Sequence, residues 1–525
     1  MKNYIKHLIW AFLGLALAVS SCKKDDTIPK PLIENSKTAF EIYTDESVSI
    51  EPKVTSEGES TYKWVEDEKE ISKEPILVYT SKEVKEHTIS LTVINDGGES
   101  KIDYTVNVKA IPLPTVEIPN KDGKVNAKIH SETTITPTIK SIRNVTYKWV
   151  LNEETLSTEK ILKYTFKKEG TFNLKLIATN ASGSTEKVIK VETSNYFANG
   201  VFVLNEGNMT SESGFVNFIY PNGSRIDYAY KNANSGTQLG NVIQDMWLAN
   251  GKAYFVAQNG PEQITVANAQ TLVKEKSYTK DGKLSWPTHI VVASNSRAYV
   301  RDNSGLHAVD ISGEITPHKE VICKANKQIM DCIKGKVYVG GENIINIINP
   351  ETDKVIKTIE LDAKITSGIK EGKDQCIWVS TNNNSLYKIN TTTDAIIKKY
   401  SIPTEFSMKA GFIPSNGLCA SKQEDIVYWK SSSWGKAYLY KFDASTEKAE
   451  LFIDFKKEYT DSNITYGEVA VHPVTGNIYI DLIKGYGADY LINFLYVIAP
   501  DKTLVQTHKN CTHFHTSCYF TEDFK

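Results

Sequence analysis

The chain has 525 residues, with 61 Lys and Arg against 63 Asp and Glu, a formal charge of −2 and a pI near 6.6. That length exceeds a single domain, and so neutral a balance gives no bulk attraction to nucleic acid, which a basic surface would announce. Seven cysteines are too sparse to form the repeating disulfide framework of small exported domains.

Leu8 to Val19 form an apolar run with Lys2 and Lys6 ahead of it. About a dozen residues fall short of the roughly 20 that span a bilayer. A basic start, a short apolar core and a small-residue exit therefore predict a cleaved secretory signal over 1–21. The exit, Val19-Ser20-Ser21-Cys22, resembles a bacterial lipobox, which implies a diacylated Cys22. Two acyl chains anchor a protein stably where one is marginal. "KKDD" at 23–26 is similar to the surface-export signal of Bacteroidota lipoproteins. It implies a protein held at the outer membrane only by its lipid and facing the extracellular side. Residues 22–35, polar with Pro29 and Pro31, read as a tether.

An internal repeat follows. "TYKWVEDEKEIS" at 61–72 returns as "TYKWVLNEETLS" at 146–157, and Trp64/Trp149, Tyr79/Tyr164, Asn95/Asn180 and Gly98/Gly183 keep one constant offset. A constant offset over that span argues for duplication of a single fold. Ile89, Leu91 and Val93 alternate with Ser90 and Thr92, the period of a half-buried strand. Two antiparallel β-sandwiches are predicted, over 36–110 and 113–194. "IPLPTVEIP" at 111–119 forms a stiff joint, since each proline restricts the residue before it. Trp64 and Trp149 read as core. The pattern resembles the PKD-like or immunoglobulin-like modules of bacterial surface proteins, without a cysteine pair behind the tryptophan.

From 196 to 525 an apolar–aromatic–apolar motif recurs, centred on Phe202, Tyr254, Tyr299, Tyr338, Trp378, Tyr428 and Tyr479. Repeats of about 40–50 residues, each with four short strands, are the mark of a propeller. Seven copies predict seven blades, so the fold class is all-β throughout. "HFHTSCYF" at 513–520 is the expected closing strand for the blade containing Val201–Leu204.

Loops on a rigid scaffold carry function, and here the loops after the second strand of each blade, with the segments before the inner strands, hold the candidates. They are Asn205, Glu206, Asn208, Gln244, Asp245, Trp286, Arg301, Asn303, Trp434, Tyr466, Tyr486 and Tyr490. Amides supply directional hydrogen bonds and aromatics bury area at low entropic cost. Such a rim suits a polar, ring-containing ligand, although each Asn and Gly also serves turns. His289, after "WPT", reads more as a strand-end histidine than as a rim ligand. No G-x-S-x-G, H-E-x-x-H or Walker loop occurs, nor the Ser-x-Asp-x-Gly boxes of sialidase propellers. "CTHFHTSC" at 511–518 invites a zinc reading, but the closing strand already explains it, with His513 and His515 on one face. Glu206, Asp245 and Asp302 are the carboxylates one face would have to gather for a glycosidase pair. No catalytic residue, metal ligand or cofactor is assigned, and an enzyme is not expected. Cys511 and Cys518 are the one candidate disulfide.

"GVFVLNEGNMTSESGFVNFIYPNG" at 200–223 and "QLGNVIQDMWLANGKAYFVAQNG" at 238–260 resemble the opening of the YncE-like propeller lipoproteins of Bacteroidota. The BtuG type of these captures cobalamin at the cell surface and passes it to a TonB-dependent transporter. The resemblance implies nutrient capture, of a cobamide or a glycan, with Asn205, Glu206, Asn208, Gln244 and Asp245 in the matching segments. The paired sandwich modules depart from the simplest such chain, and related propellers accompany glycan uptake. An adhesion or protein-interaction scaffold and, behind it, a carbohydrate-active lyase or hydrolase are the alternatives.

Overall fold

The computed structural model describes residues 27–34, 37–119, 124–129, 131–194, 196–411, 415–432 and 435–524. The signal over 1–21, the lipidation site Cys22 and Trp434 lie outside the described residues. No helix among the described residues is long and apolar enough to cross a membrane.

In each N-terminal repeat the strand carrying the tryptophan, Thr61–Glu66 or Thr146–Leu151, turns alternate side chains inward. Trp64 and Trp149 are fully buried, opposite Leu91 and Leu176 respectively. Each indole N–H donates to a carbonyl ten residues on, that of Glu74 at 2.9 Å and of Glu159 at 3.0 Å. The first module builds a five-stranded sheet in the order Ala39–Tyr43, Gly98–Lys109, Glu86–Asn95, Thr61–Glu66, Lys69–Ser72. Two short strand pairs complete its core, with Ile50, Leu77 and Tyr79 packed in one cluster with Trp64 and Tyr104. The second module repeats the arrangement.

An asparagine clamps the entry strand of each module. Asn95 Nδ2 donates to Pro29 O at 2.9 Å, and Asn180 Nδ2 to Pro112 O at 2.8 Å. Leu32–Glu34 moreover pairs with Lys53–Thr55, so the tether expected over 22–35 gives up its C-terminal part to the first module. Between the modules, the Arg143 guanidinium forks onto Asp45 at 2.8 Å and reaches Glu46 at 2.6 Å, and it lies over the ring of Tyr43.

The C-terminal part forms seven four-stranded antiparallel sheets, the blades of a propeller. The aromatic motif lies on the second strand of each blade, where Phe202, Tyr254, Tyr299, Tyr338, Trp378, Tyr428 and Tyr479 are all buried. These strands are covered on both faces by neighbouring blades, so they read as unbroken apolar runs instead of alternating ones. Seven clusters of buried side chains each straddle one pair of adjacent blades. The inner strands, Asn241–Ala249, His289–Val292, Asp331–Ile333, Lys370–Glu371, Cys419–Ala420, Ile464–Val471 and His515–Phe520, contact one another in sequence around an axis. The last of them closes the ring by pairing antiparallel with Val201–Asn205, Val203 opposite Cys518.

The closing strand starts at His515 instead of 513, because Phe514 takes a left-handed φ of 54°. Cys511 and Cys518 share an apolar cluster and are free thiols, so the candidate disulfide is not formed. Each sulfur has its own partner: Cys511 Sγ donates to His508 O, and Cys518 Sγ meets His515 Nε2, both at 3.5 Å.

Candidate functional site

The inner strands enclose a channel along the axis; the end at which they begin is the upper end. A narrow pocket of about 40 Å³ opens there, bordered by Glu206, Gln244, His289, Lys327, Glu468 and His515. A wider chamber of about 550 Å³ occupies the lower end. Ile329 borders both, and so forms the waist between them.

The upper pocket gathers one to three polar side chains from nearly every blade. Glu206 follows the strand Val201–Asn205 and is fixed by its backbone: its N–H donates to Phe514 O, and its carbonyl accepts from Ile243 N–H. Burial pushes its carboxyl up to about 7, against the pull of the Lys327 charge and a hydrogen bond from Gln244. His289 opens the inner strand of the third blade. Burial, helped by the charges of Arg301, Lys327 and Lys370, holds it well below the usual imidazole range, hence neutral. Burial likewise lowers Lys327, whose ammonium has no hydrogen-bonded partner among the described residues. His515 is pushed down to about 3 by burial, and its Nδ1 has no hydrogen-bond partner; Glu468 Oε2 has none either, its near charge being the Lys370 ammonium at 3.8 Å. Deeper in, buried Lys430 faces the charges of Glu468 and Asp481. Asp481 accepts from Thr512 Oγ1 at 2.8 Å while its second oxygen has no partner, and burial raises it to about 7. Unpaired buried polar atoms each cost roughly 1–3 kcal/mol, and a cluster of them in a concave place is the arrangement a binding site maintains.

Strain marks the same end. Among the described residues, five aromatic or aliphatic side chains sit on left-handed backbone: Tyr228, Val242, Leu272, Trp286 and Phe514. Val242 sits at the start of an inner strand, and Trp286 and Phe514 lie just before one, all at the upper end. Such backbone costs about 1–3 kcal/mol per residue and collects at functional sites.

The sequence candidates divide. Glu206 and Gln244 line the pocket. Arg301 stands beside it, donating Nε–H to Ala325 O and Nη1–H to Thr288 Oγ1, each at 3.3 Å. Tyr466 is buried against Phe514, and Tyr490 stacks on the same ring at 4.6 Å, forming an aromatic shoulder. Trp286, Asn303 and Tyr486 are exposed on the rim. Three candidates are occupied by the fold itself. Asn205 donates to Val203 O and accepts from His513 N–H. Asn208 Oδ1 accepts the N–H groups of Thr210, Ser211 and Glu212 within its own loop. Asp245, raised to about 7 by burial, accepts from Tyr519 O–H at 2.7 Å, Met246 N–H at 2.9 Å and Ile290 N–H at 3.0 Å. It thus staples two inner strands to the closing strand.

Asp302 is spent too: burial opposes its ionisation, but hydrogen bonds from His307, Ser304 and Ser285 hold it well below the usual carboxylate range. The Glu206–Asp245–Asp302 trio therefore does not assemble. His513 pairs with Glu212 while His515 turns to Cys518, so the two histidines do not converge. Lys327, Glu468, Lys430 and Asp481 had no motif to announce them; Lys430, an ammonium ending the apolar run "IVYW", carried the one local signal.

A family profile described as "Domain of unknown function (DUF5074)" matches residues 199–521, and one described as "PKD-like domain" matches residues 113–180. No curated protein matches the chain. Among solved structures it is similar to a quinonprotein alcohol dehydrogenase-like protein from Bacteroides thetaiotaomicron, with 18% identity and a TM-score of 0.49 over 77% of this chain and 99% of that one. It is also similar to the dihydro-heme d1 dehydrogenase NirN in complex with DHE, with 9% identity and a TM-score of 0.39 over 62% and 76% of the two chains. The fibronectin(III)-like modules of Clostridium thermocellum CbhA give 15% identity and a TM-score of 0.16 over 31% and 94%. The architecture rests on the strand pairings, not on these likenesses. With the profile match spanning most of its length, the chain belongs to the DUF5074 family, and a PKD-like domain precedes the matched region.

Proposed function

We propose that the propeller is a binding module that takes the polar end of an extracellular ligand, non-covalently, into the upper mouth of the channel. The carrying observation is the convergence there of wholly or partly buried groups that lack hydrogen-bonded partners, the Lys327 ammonium, Glu468 Oε2 and His515 Nδ1, beside a neutral His289 and a Glu206 that titrates near 7. A ligand that supplies the missing hydrogen bonds recovers the free energy the empty site forgoes. The pocket admits only a small group, so the ligand body rests on the rim, where Tyr466 and Tyr490 flank Phe514. Carboxamide arms of a cobamide, or hydroxyls of a glycan, have this chemistry. The likeness of "LNEGN" and "QDMW" to BtuG-type propellers supports a cobamide first. On this reading the protein is a lipid-anchored surface protein that hands its ligand to a TonB-dependent transporter.

Calorimetry with cyanocobalamin and a glycan panel tests it. Saturable binding is expected, weakened about tenfold by Lys327→Ala or Tyr490→Ala; no heat from any member of the panel would sink it. Glu206 favours a second reading, since a carboxyl raised to about 7 suits a general acid. A lyase or hydrolase would release product from the glycan panel and lose turnover in Glu206→Gln.

A further inference from the structure

We infer that the lower chamber is a second binding site, separate from the upper mouth, for an amphipathic carboxylate: a molecule with an apolar body and one anionic head. Its volume of about 550 Å³ falls within the usual range for small-molecule sites, about 300–1,000 Å³. Apolar walls come from the ends of several inner strands, among them Met246, Ile333, Ala420, Val469, Val471 and Phe520. Ile329 borders both this chamber and the polar pocket above, and the larger apolar wall of the chamber gives it a different chemistry.

Of the three lysines bordering the chamber, Lys422 pairs with Glu371 and Lys334 donates to Thr392 Oγ1, which leaves the third, Lys370. Lys370 borders the chamber with its side chain only 17% exposed, and its one ion-pair contact among the described residues is Glu468 Oε2, at 3.8 Å. That is beyond hydrogen-bond distance, and the ammonium has no hydrogen-bonded partner among the described residues. Three acidic groups bordering the chamber are engaged elsewhere. Asp245 takes the three hydrogen bonds already described. Asp331 accepts from Cys332 N–H at 2.8 Å and Glu371 N–H at 3.3 Å, and burial raises it to about 6. Glu371 is paired with Lys422. A half-desolvated ammonium among apolar walls is unfavourable until an opposite charge joins it with good hydrogen-bond geometry. A carboxylate head beneath Lys370, its apolar tail along Met246, Val469 and Phe520, meets both requirements at once. A neutral apolar ligand would leave the Lys370 ammonium without a hydrogen-bonded partner, and a cationic one would be repelled by it.

The test uses the full chain and 1-anilinonaphthalene-8-sulfonate, an apolar anion whose emission rises on burial. Saturable binding is expected, reversed by dodecanoate and not by dodecyltrimethylammonium. Lys370→Met is expected to weaken dodecanoate about tenfold while leaving dodecanol unchanged. Val471→Trp, which narrows the chamber from a half-buried wall position, should weaken both, and it remains informative if Lys370→Met fails to fold. The proposal falls if the probe does not saturate, if the cationic amphiphile displaces it as well as dodecanoate does, or if Val471→Trp binds like the wild type.

Discussion

Glu206 carries a pH signature with a definite sign. Its carboxyl titrates near 7 in the folded chain against an ordinary value of 4.5. Between those values the folded state binds the extra proton, so its contribution to stability is full below about pH 4.5 and is lost as pH rises through 7. Glu206→Gln removes that loss. Relative to the wild type, the variant should gain up to about 3 kcal/mol between pH 4.5 and 8, read from urea melts at several pH values. His289 and His515, both lowered by burial, act in the opposite sense: their contribution is present above the ordinary imidazole value and is lost as pH falls below it. Comparing variant with wild type cancels that histidine background. An equal offset at all pH values would show that Glu206 is not buried as described. The loop motif "LNEGN" pointed at Glu206 and equally at Asn205 and Asn208, which serve the backbone. Nothing in the letters separates an amide that closes its own turn from one that faces a ligand. Gln244 and Asp245 are neighbours in one strand, yet one lines the pocket and the other staples strands.

Within the sandwich modules, duplication extends to single hydrogen bonds. Trp64 and Trp149 donate to equivalent carbonyls, and Asn95 and Asn180 clamp equivalent prolines. Trp64→Phe and Trp149→Phe keep most of the apolar contact but leave the Glu74 or Glu159 carbonyl without its donor. Each should lower the local opening free energy by about 1–2 kcal/mol, and by nearly the same amount. Hydrogen exchange at the facing Leu91 and Leu176 strands reads both in one sample. Markedly unequal losses would show that the repeat shares letters without sharing packing. These strands were legible because one face is half-exposed, which imposes alternation. The propeller strands were legible for the opposite reason: blades cover both faces, so the aromatic motif stays unbroken. The boundary of the closing strand was not legible, because the left-handed turn at Phe514 sits on a residue type that gives no warning of it.

Seen at the scale of the whole chain, the upper site exists only because the ring closes. Lys327, Lys430, Glu468 and His515 lie far apart in sequence and on four different blades, and ring closure brings them to one axis. That is why local pattern could locate the rim and not the pocket. The closing strand is therefore structural and functional together: it supplies His515 to the pocket, pairs with Val201–Asn205 and receives the Asp245 staple through Tyr519. A chain ending at Lys509 lacks that strand and leaves Val201–Asn205 as a bare inner edge, with its ladder groups unpaired. In it the first blade loses its inner strand and the apolar cluster shared with the seventh blade loses Cys511, Cys518 and Phe520. Differential scanning calorimetry of the truncated chain should show the propeller transition lost or lowered by many degrees, since the ladder and core contacts of a whole strand vanish together. The transition of the two sandwich modules, whose sheets contain no residue after Ser194, should persist. Ligand binding at the upper mouth should disappear with the first transition. A truncated chain that keeps both transitions and still binds would mean that six complete blades and one incomplete blade hold the axis without closure, and the pocket would then owe its geometry to something other than the ring.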